Sequence, residues 1–329
     1  MKKKILVANR GEIAIRLIRA IQELGFEAVA VYEKPDEMSR HIRIADEAVL
    51  LGNGPRCDYL NIEKIMWAAH RSGAVAIHPG YGFLAENPYL PKACEEAGVI
   101  FIGPTKEIIS NLGNKVIARK IMAEAGIPMV PGTPNLSQGK DGVQEALAFG
   151  EKYGYPIMLK ATSGGGGRGI RRIENAEELR QQIPVARAEA LSAFNDDSVY
   201  LEKVIINPKH VEVQILADRF GKTIHLGTRD CSIQRRNQKL IEIAPSMIQD
   251  KELIQEICDT AVKAAKAAGY LNAGTVEFLI DHDLNYYFME INTRVQVEHT
   301  VTEMITGIDI VRNQINIAFD TPLSFTQDD

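Results

Sequence analysis

Glu290-Ile291-Asn292-Thr293-Arg294-Val295-Gln296-Val297-Glu298-His299 alternates strictly from end to end. As a β-strand it sends Glu290, Asn292, Arg294, Gln296 and Glu298 to one face and Ile291, Thr293, Val295, Val297 and His299 to the other. A row of five polar groups is either a solvated edge or one wall of a site. The residues before it favour the site. Residues 275–280 and 286–291 are apolar and β-rich, and Asp281-His282-Asp283-Leu284-Asn285 separates them, which is a hairpin pattern. With Asp283-Leu284 at the turn, Glu277 lies opposite Glu290. Carboxylates facing each other across a ladder repel. A hard divalent cation, which takes carboxylate and phosphate oxygens together, removes that penalty. The stretch therefore reads as part of a metal–nucleotide site.

Working outward, 329 residues exceed one simple core, so two or three lobes are expected. Apolar residues make up 45% and charged residues 25%, an ordinary globular balance. A net charge of -5 and a pI near 5.9 give no electrostatic reason to expect nucleic acid. Cys57, Cys94, Cys231 and Cys258 form no Cys-x-x-Cys pair and read as thiols of a reducing cytoplasm. The basic start at residues 2–4 is followed by an apolar run too short for a signal peptide, and no apolar run approaches the ~18 residues of a membrane span.

Residues 3–8, 12–24 and 27–32 read as strand, helix and strand, the opening of a parallel sheet. Helices near 62–72 and 91–97 with strands at 74–77 and 99–102 extend it, and the first lobe ends near Leu112. The single glycine after the first strand gives little support to a dinucleotide fingerprint. His78-Pro79-Gly80-Tyr81-Gly82-Phe83-Leu84 follows a strand, where open α/β sheets place ligands, though turn residues alone account for it too.

Asn114 is placed to cap a helix over 115–125, and Pro128, Pro131 and Pro134 lead into a second lobe. A strand ending at Lys160 runs into Gly164-Gly165-Gly166-Gly167-Arg168-Gly169. Four consecutive glycines are costly in backbone entropy unless bare N–H groups must wrap an anion; a flexible linker is the alternative. Residues 177–192 read as a surface helix, and 198–206 and 210–215 as strands. Residues 229–239 are dense in basic and amide groups, suiting an anion pocket or a solvated loop. Residues 251–268 and 303–319 read as helices. No Gly-x-Ser-x-Gly or Ser/His/Asp set suggests a covalent nucleophile.

Together these words resemble biotin carboxylase, an ATP-grasp family: Ala8-Asn9-Arg10-Gly11-Glu12-Ile13-Ala14, the His78–Leu84 loop, Lys160 with its glycines, the Arg229–Arg236 run and the opening stretch. The resemblance covers essentially the whole chain. It implies an α/β Rossmann-like (pre-ATP-grasp) N-terminal domain over 1–113, then an ATP-grasp α+β domain over 114–329 with a mobile glycine-rich lid at about 131–203. It implies that Lys115 and Lys160 hold ATP phosphates under a lid of Gly164, Gly165, Gly166, Gly167 and Gly169. Glu202, Lys203 and Ile205 would meet adenine, with His210, Gln234 and Asn237 near the ribose; Asn237 stands where histidine is usual. Glu277, Glu290 and Asn292 would hold Mg2+ or Mn2+. Lys239, Arg294, Gln296 and Val297 would hold bicarbonate, Glu298 would be the general base, and Tyr81, Gly82 and Arg294 would receive biotin.

The implied activity is ATP- and bicarbonate-dependent carboxylation of biotin through carboxyphosphate. The implied partners are a biotin carboxyl carrier protein and a carboxyltransferase, with no nucleic acid or membrane. A homodimer is expected for the full-length protein, Arg16, Arg19 and Glu23 forming part of its contact face. The family continues for about another domain, which closes the active site and adds an arginine, so a shortened chain is expected. The alternatives are an ATP- and Mg2+-binding fragment with little carboxylase activity and an ATP-grasp ligase acting without biotin. The final carboxyl acceptor is not encoded in these motifs.

Overall fold

The computed structural model describes residues 2–52, 58–163, 169–236 and 238–329. Gly164, Gly165, Gly166, Gly167 and Asn237 lie outside the described residues. Compactness divides the chain into two units. Met1–Ile127, Lys209–Phe278 and Glu290–Asp329 form the larger, and Pro128–Pro208 with Leu279–Met289 the smaller.

The larger unit opens with β1 (Lys4–Val7), α1 (Gly11–Glu23), β2 (Glu27–Glu33), α2 (Arg40–Ile44), β3 (Glu47–Gly52), α3 (Ile62–Ser72), β4 (Ala74–His78), α4 (Tyr89–Glu96) and β5 (Ile100–Phe101). The five strands pair in parallel in the order β3-β2-β1-β4-β5. α2 and β3 were not expected from the sequence; Glu47-Ala48-Val49-Leu50 mixes exposed and buried positions too briefly to announce a strand. The order reverses beside β1, so the loops after β1 and β4 meet there, as ligand-binding crevices of such sheets require. Asn9 locks them together, its Nδ2 donating to the carbonyls of Pro79 and Tyr81 at 2.7 Å each. α5 (Lys106–Gly113) and α6 (Lys115–Glu124) follow, the latter capped by Asn114, whose side chain accepts from the N–H groups of Val116 and Ile117.

The smaller unit holds α7 (Gly139–Tyr153), β6 (Ile157–Ala161), β7 (Ile170–Ile173), α8 (Ala176–Phe194) and β8 (Val199–Lys203). β6 is the central strand, antiparallel to both neighbours. Ile157, Leu159, Ile173 and Leu201 from the sheet pack with Phe149, Leu179 and Ile183 from the helices. Gly169 is required sterically: its φ is +75°, and a Cβ there would lie 2.8 Å from that of Ala161.

The chain continues with β9 (Lys209–Ala217), β10 (Thr223–Arg235), β11 (Gln238–Ile243), α9 (Lys251–Ala267), β12 (Asn272–Ile280), β13 (Tyr286–Asn292), α10 (His299–Thr306) and α11 (Ile310–Ala318), all in the larger unit except Leu279–Met289 at the β12–β13 hairpin. These strands form a sheet of order β11-β10-β9-β12-β13. Two expectations are corrected here, and one of two open readings is decided. The opening stretch is not one strand: β13 ends at Asn292. Beyond it Asn292 and Thr293, Val295 and Gln296, and Glu298 and His299 are buried in adjacent pairs, which no two-residue period can produce. Val295 joins an apolar cluster with Leu216, Ile310 and Ile317, while its neighbour Gln296 turns to buried polar groups, so the chain must bend. In the basic run, residues 229–235 belong to β10 and 238–239 to β11, so it is not a solvated loop. The last helix breaks at Gly307, φ +71°, and restarts after Asp309, which caps α11 by accepting from the Arg312 N–H. Among the described residues no helix is long and apolar enough to cross a membrane.

Candidate active site

The sheet β11-β10-β9-β12-β13 assembles the polar centre of the larger unit. β9 alternates His210, Glu212 and Gln214 onto one face, and β12 adds Thr275 and Glu277. Arg229 on β10 sits directly across the ladder from Glu212, and its Nε donates to Glu212 Oε1 at 2.5 Å. Opposite charges so placed support the pairing of the strands. The turn at Arg236, φ +53°, folds β11 back so that Lys239 pairs with Gln234 and faces the same centre.

Lys239 is bound by three carboxylates. Its Nζ donates to Glu212 Oε2 at 2.5 Å, Glu298 Oε1 at 2.5 Å and Glu277 Oε1 at 3.1 Å. Burial alone would favour the neutral amine, but Glu277, Glu212 and Glu298 outweigh it and raise its pKa. The partners respond in kind. Burial pushes the Glu298 carboxyl up, yet the Lys239 charge and hydrogen bond hold it below the usual range. Glu277 is likewise held low against burial, by His210 and Lys239.

Glu277 is the most connected of the three. Its Oε1 also accepts from Asn292 Nδ2 at 2.7 Å and Gln296 Nε2 at 2.9 Å, and its Oε2 lies 2.8 Å from His210 Nε2. Gln234 Nε2 is 2.8 Å from His210 Nδ1. An amide donating to Nδ1 assigns the imidazole hydrogen to Nε2, pointed at Glu277. His210, Gln234, Asn292 and Gln296 are thus one network. Arg294 Nη2 donates to Asn292 Oδ1 at 3.2 Å, and its Nε lies 3.0 Å from Glu86 Oε2. Val297 is exposed, so only its backbone can serve an inward-facing ligand.

Glu290 is partly buried, and its carboxyl is pushed up, first by burial and then by the charge of Glu277, against the opposing charges of Lys115 and Arg294. Lys115 and Arg294 compensate its ionised form only in part, and a cation would supply the rest. Glu277, Glu290 and Asn292 offer only hard oxygen donors, the chemistry Mg2+ takes, and so fit a divalent ion. Lys115 opens α6 as an exposed side chain.

At the end of β4, Tyr81 is half-buried against the apolar clusters and Gly82 is exposed at φ +69°. Buried His78, pushed down to about 3 by desolvation and the nearby Arg16 charge, is neutral and accepts the Gly80 N–H at Nδ1. Arg16 Nη2 reaches Asp309 at 2.6 Å and Glu303 at 3.1 Å, which fixes its guanidinium against the chain's own C-terminal helices. In the smaller unit, Lys160 on β6 is paired with Glu202 on β8, Lys203 N–H donates to the Pro131 carbonyl, and Ile205 lies just beyond the strand.

Residues 1–109 match the family model for the biotin carboxylase N-terminal domain, and residues 114–326 match that for the carbamoyl-phosphate synthase L chain ATP-binding domain. Biotin carboxylase 1 of Bacillus subtilis is 51% identical over 100% of this chain and 73% of its own length. The chain belongs to the biotin carboxylase family. The small subunit of 2-oxoglutarate carboxylase from Hydrogenobacter thermophilus, a further relative, is 52% identical over 100% of this chain and 69% of its own length. The fold agrees with solved biotin carboxylases. The Campylobacter jejuni enzyme in a β,γ-ATP complex superposes with a TM-score of 0.92 at 44% identity, covering 100% of this chain and 73% of that one. The Hydrogenobacter thermophilus biotin carboxylase domain dimer, with MgADP, ADP and bicarbonate, gives 0.90 at 52%, covering 100% and 72%.

Within this family picture, sequence reasoning left out three participants. Glu212 was signalled by the His210/Glu212/Gln214 alternation. Arg229 was submerged in a run of basic residues. Glu86 had no sequence signal.

Proposed function

We propose that the protein is an ATP-dependent ligase that carboxylates biotin carried on a separate carrier protein, the first half-reaction of a biotin-dependent carboxylase. The observation that carries the reading is the Lys239 ammonium, held by three carboxylates, one of which, Glu277, also binds the Gln296 amide. Such a centre can bind a small anion while keeping a base ionised next to it.

In this reading Lys239, Arg294, Gln296 and the Val297 backbone hold bicarbonate. Glu298 is the base. In the free protein Lys239 lowers its proton affinity; an anion that shares Lys239 weakens that hold and raises the basicity of Glu298 when it is needed. Glu298 then takes the bicarbonate proton, a bicarbonate oxygen attacks the γ-phosphorus of ATP, and ADP leaves, giving carboxyphosphate. Carboxyphosphate then breaks its carbon–oxygen bond to phosphate, giving CO2 and phosphate; the biotin ureido nitrogen gives its proton to that phosphate and takes up the CO2. Glu277, Glu290 and Asn292 would hold Mg2+ or Mn2+, which neutralises the phosphate oxygens when bound. Lys115 and Lys160 serve the phosphates, and Lys160 exchanges Glu202 for them. The glycines 164–167 and Gly169 are assigned to the lid; Glu202, Lys203 and Ile205 to adenine; His210, Gln234 and Asn237 to the ribose; and Tyr81, Gly82 and Arg294 to biotin.

The domain boundary at 113/114, a cytoplasmic setting, a homodimer and a carboxyltransferase partner belong to the same proposal. The relatives' names as carboxylase subunits and the solved domain dimer support it. The test is Mg2+-dependent ADP release with and without bicarbonate and free biotin. Biotin-stimulated, bicarbonate-dependent release is expected. Hydrolysis indifferent to bicarbonate would overturn the reading.

A further inference from the structure

The fully buried guanidinium of Arg229 has every N–H group engaged. Nε donates to Glu212 Oε1 at 2.5 Å, Nη1 to Gln214 Oε1 at 2.9 Å and Thr302 Oγ1 at 2.8 Å, and Nη2 to Gln296 Oε1 at 2.9 Å and Thr275 Oγ1 at 3.2 Å. Five donors meet five acceptors on β9, β12, the bend after β13 and α10. Arginine alone presents five N–H groups in a rigid planar fork. A buried charge is costly unless its geometry and hydrogen bonds are complete, and here they are.

Two of these partners are shared with the anion centre. Glu212 spends its second oxygen on Lys239, and Gln296 uses its amide nitrogen on Glu277. A third, Thr302, lies one turn after Glu298, which immediately precedes α10. One group therefore sets the Gln296 amide orientation, the position of Lys239 through Glu212, and the seat of the helix that follows the base.

We propose that Arg229 is a positioning residue for bicarbonate, acting through Gln296, Glu212 and Lys239, with no contact to substrate. This rests on the bicarbonate assignment above. The distinction from a general structural role is selectivity. Loss of the fork lets the Gln296 amide turn and Lys239 shift, which weakens the anion site; Glu277, assigned to the metal, loses part of its support but keeps His210 and Asn292, and Lys115 and Lys160 are not among Arg229's partners.

The experiment compares the wild type with Arg229→Lys and Thr302→Val, the latter removing one acceptor while keeping the side chain's shape. Bicarbonate affinity is measured by calorimetry in the presence of Mg·ADP, and Mg·ADP affinity separately. Arg229→Lys is expected to weaken bicarbonate about tenfold and Thr302→Val about threefold, as expected for losing hydrogen bonds in a charged network, with Mg·ADP within about twofold of wild type. In bicarbonate-dependent ATP hydrolysis the same variants raise KM for bicarbonate and leave KM for ATP. Folded variants with wild-type bicarbonate affinity, or with both affinities falling together, overturn the positioning role while the functional reading stands. Should Arg229→Lys fail to fold, Thr302→Val alone decides. A wild type that binds Mg·ADP but no bicarbonate overturns the functional reading itself.

Discussion

Glu298 and Lys239 form the pair on which the chemistry turns. Glu298→Gln keeps the shape but cannot take a proton. Turnover should fall by at least about a hundredfold, the usual weight of a general base, while Mg·ADP binding changes little; a parallel loss of nucleotide affinity would show that the residue holds the site together instead. The pH dependence has a definite sign. Lys239 holds the Glu298 carboxyl below its ordinary value, so this contribution to stability is present above the ordinary carboxylate range and is lost as pH falls through the lowered value. A denaturation series from neutral to acid should show the wild type losing more stability than Glu298→Gln, and equal slopes would refute the coupling. At this scale the sequence was partly legible. The alternation of β9 puts His210, Glu212 and Gln214 on one face before any coordinates are known, whereas only the sheet order brings Glu277 of β12 beside them. Arg229 was not legible, because its acceptors are scattered from Glu212 to Thr302 and only the folded sheet gathers them.

The elements divide in the same way. Strands whose period is met by a uniform environment on each face could be read, as in β9 and β12. The period failed beyond Asn292, where Val295 and Gln296 enter an apolar cluster and a polar network side by side. Residues 303–319 look like one helix because their apolar positions stay in phase across Gly307, yet Asp309 restarts the helix and also binds Arg16. Asp309→Ala removes both the cap and an ion-pair partner. It should destabilise the protein by about 1–2 kcal/mol, the range for losing an N-cap, with Mg·ADP affinity retained. A melting temperature equal to wild type would show that the cap contributes nothing. Gly169→Ala should be worse tolerated than most glycine replacements, since the methyl meets Ala161 at 2.8 Å under a positive φ; expression and melting of this variant give the check.

For the whole molecule, nucleotide binding should be visible as stability. Mg·ADP at about a hundred times its Kd adds about 2.7 kcal/mol to the native state, which a thermal melt detects. No shift at that excess would count against the nucleotide assignment. The larger unit is assembled from three separated stretches of chain, and its first sheet is incomplete without its last helix: Val311, Ile315 and Ala318 of α11 pack into the cluster formed by Ile13, Leu17 and Ile21 of α1. During synthesis the apolar face of α1 therefore leaves the ribosome long before its cover exists. At the usual pace of about 5–20 residues per second, the delay is roughly 15–60 seconds. Over that interval only the inner part of the cover, Ile5, Val7, Ala28 and Ala76 of the early sheet, can shield it.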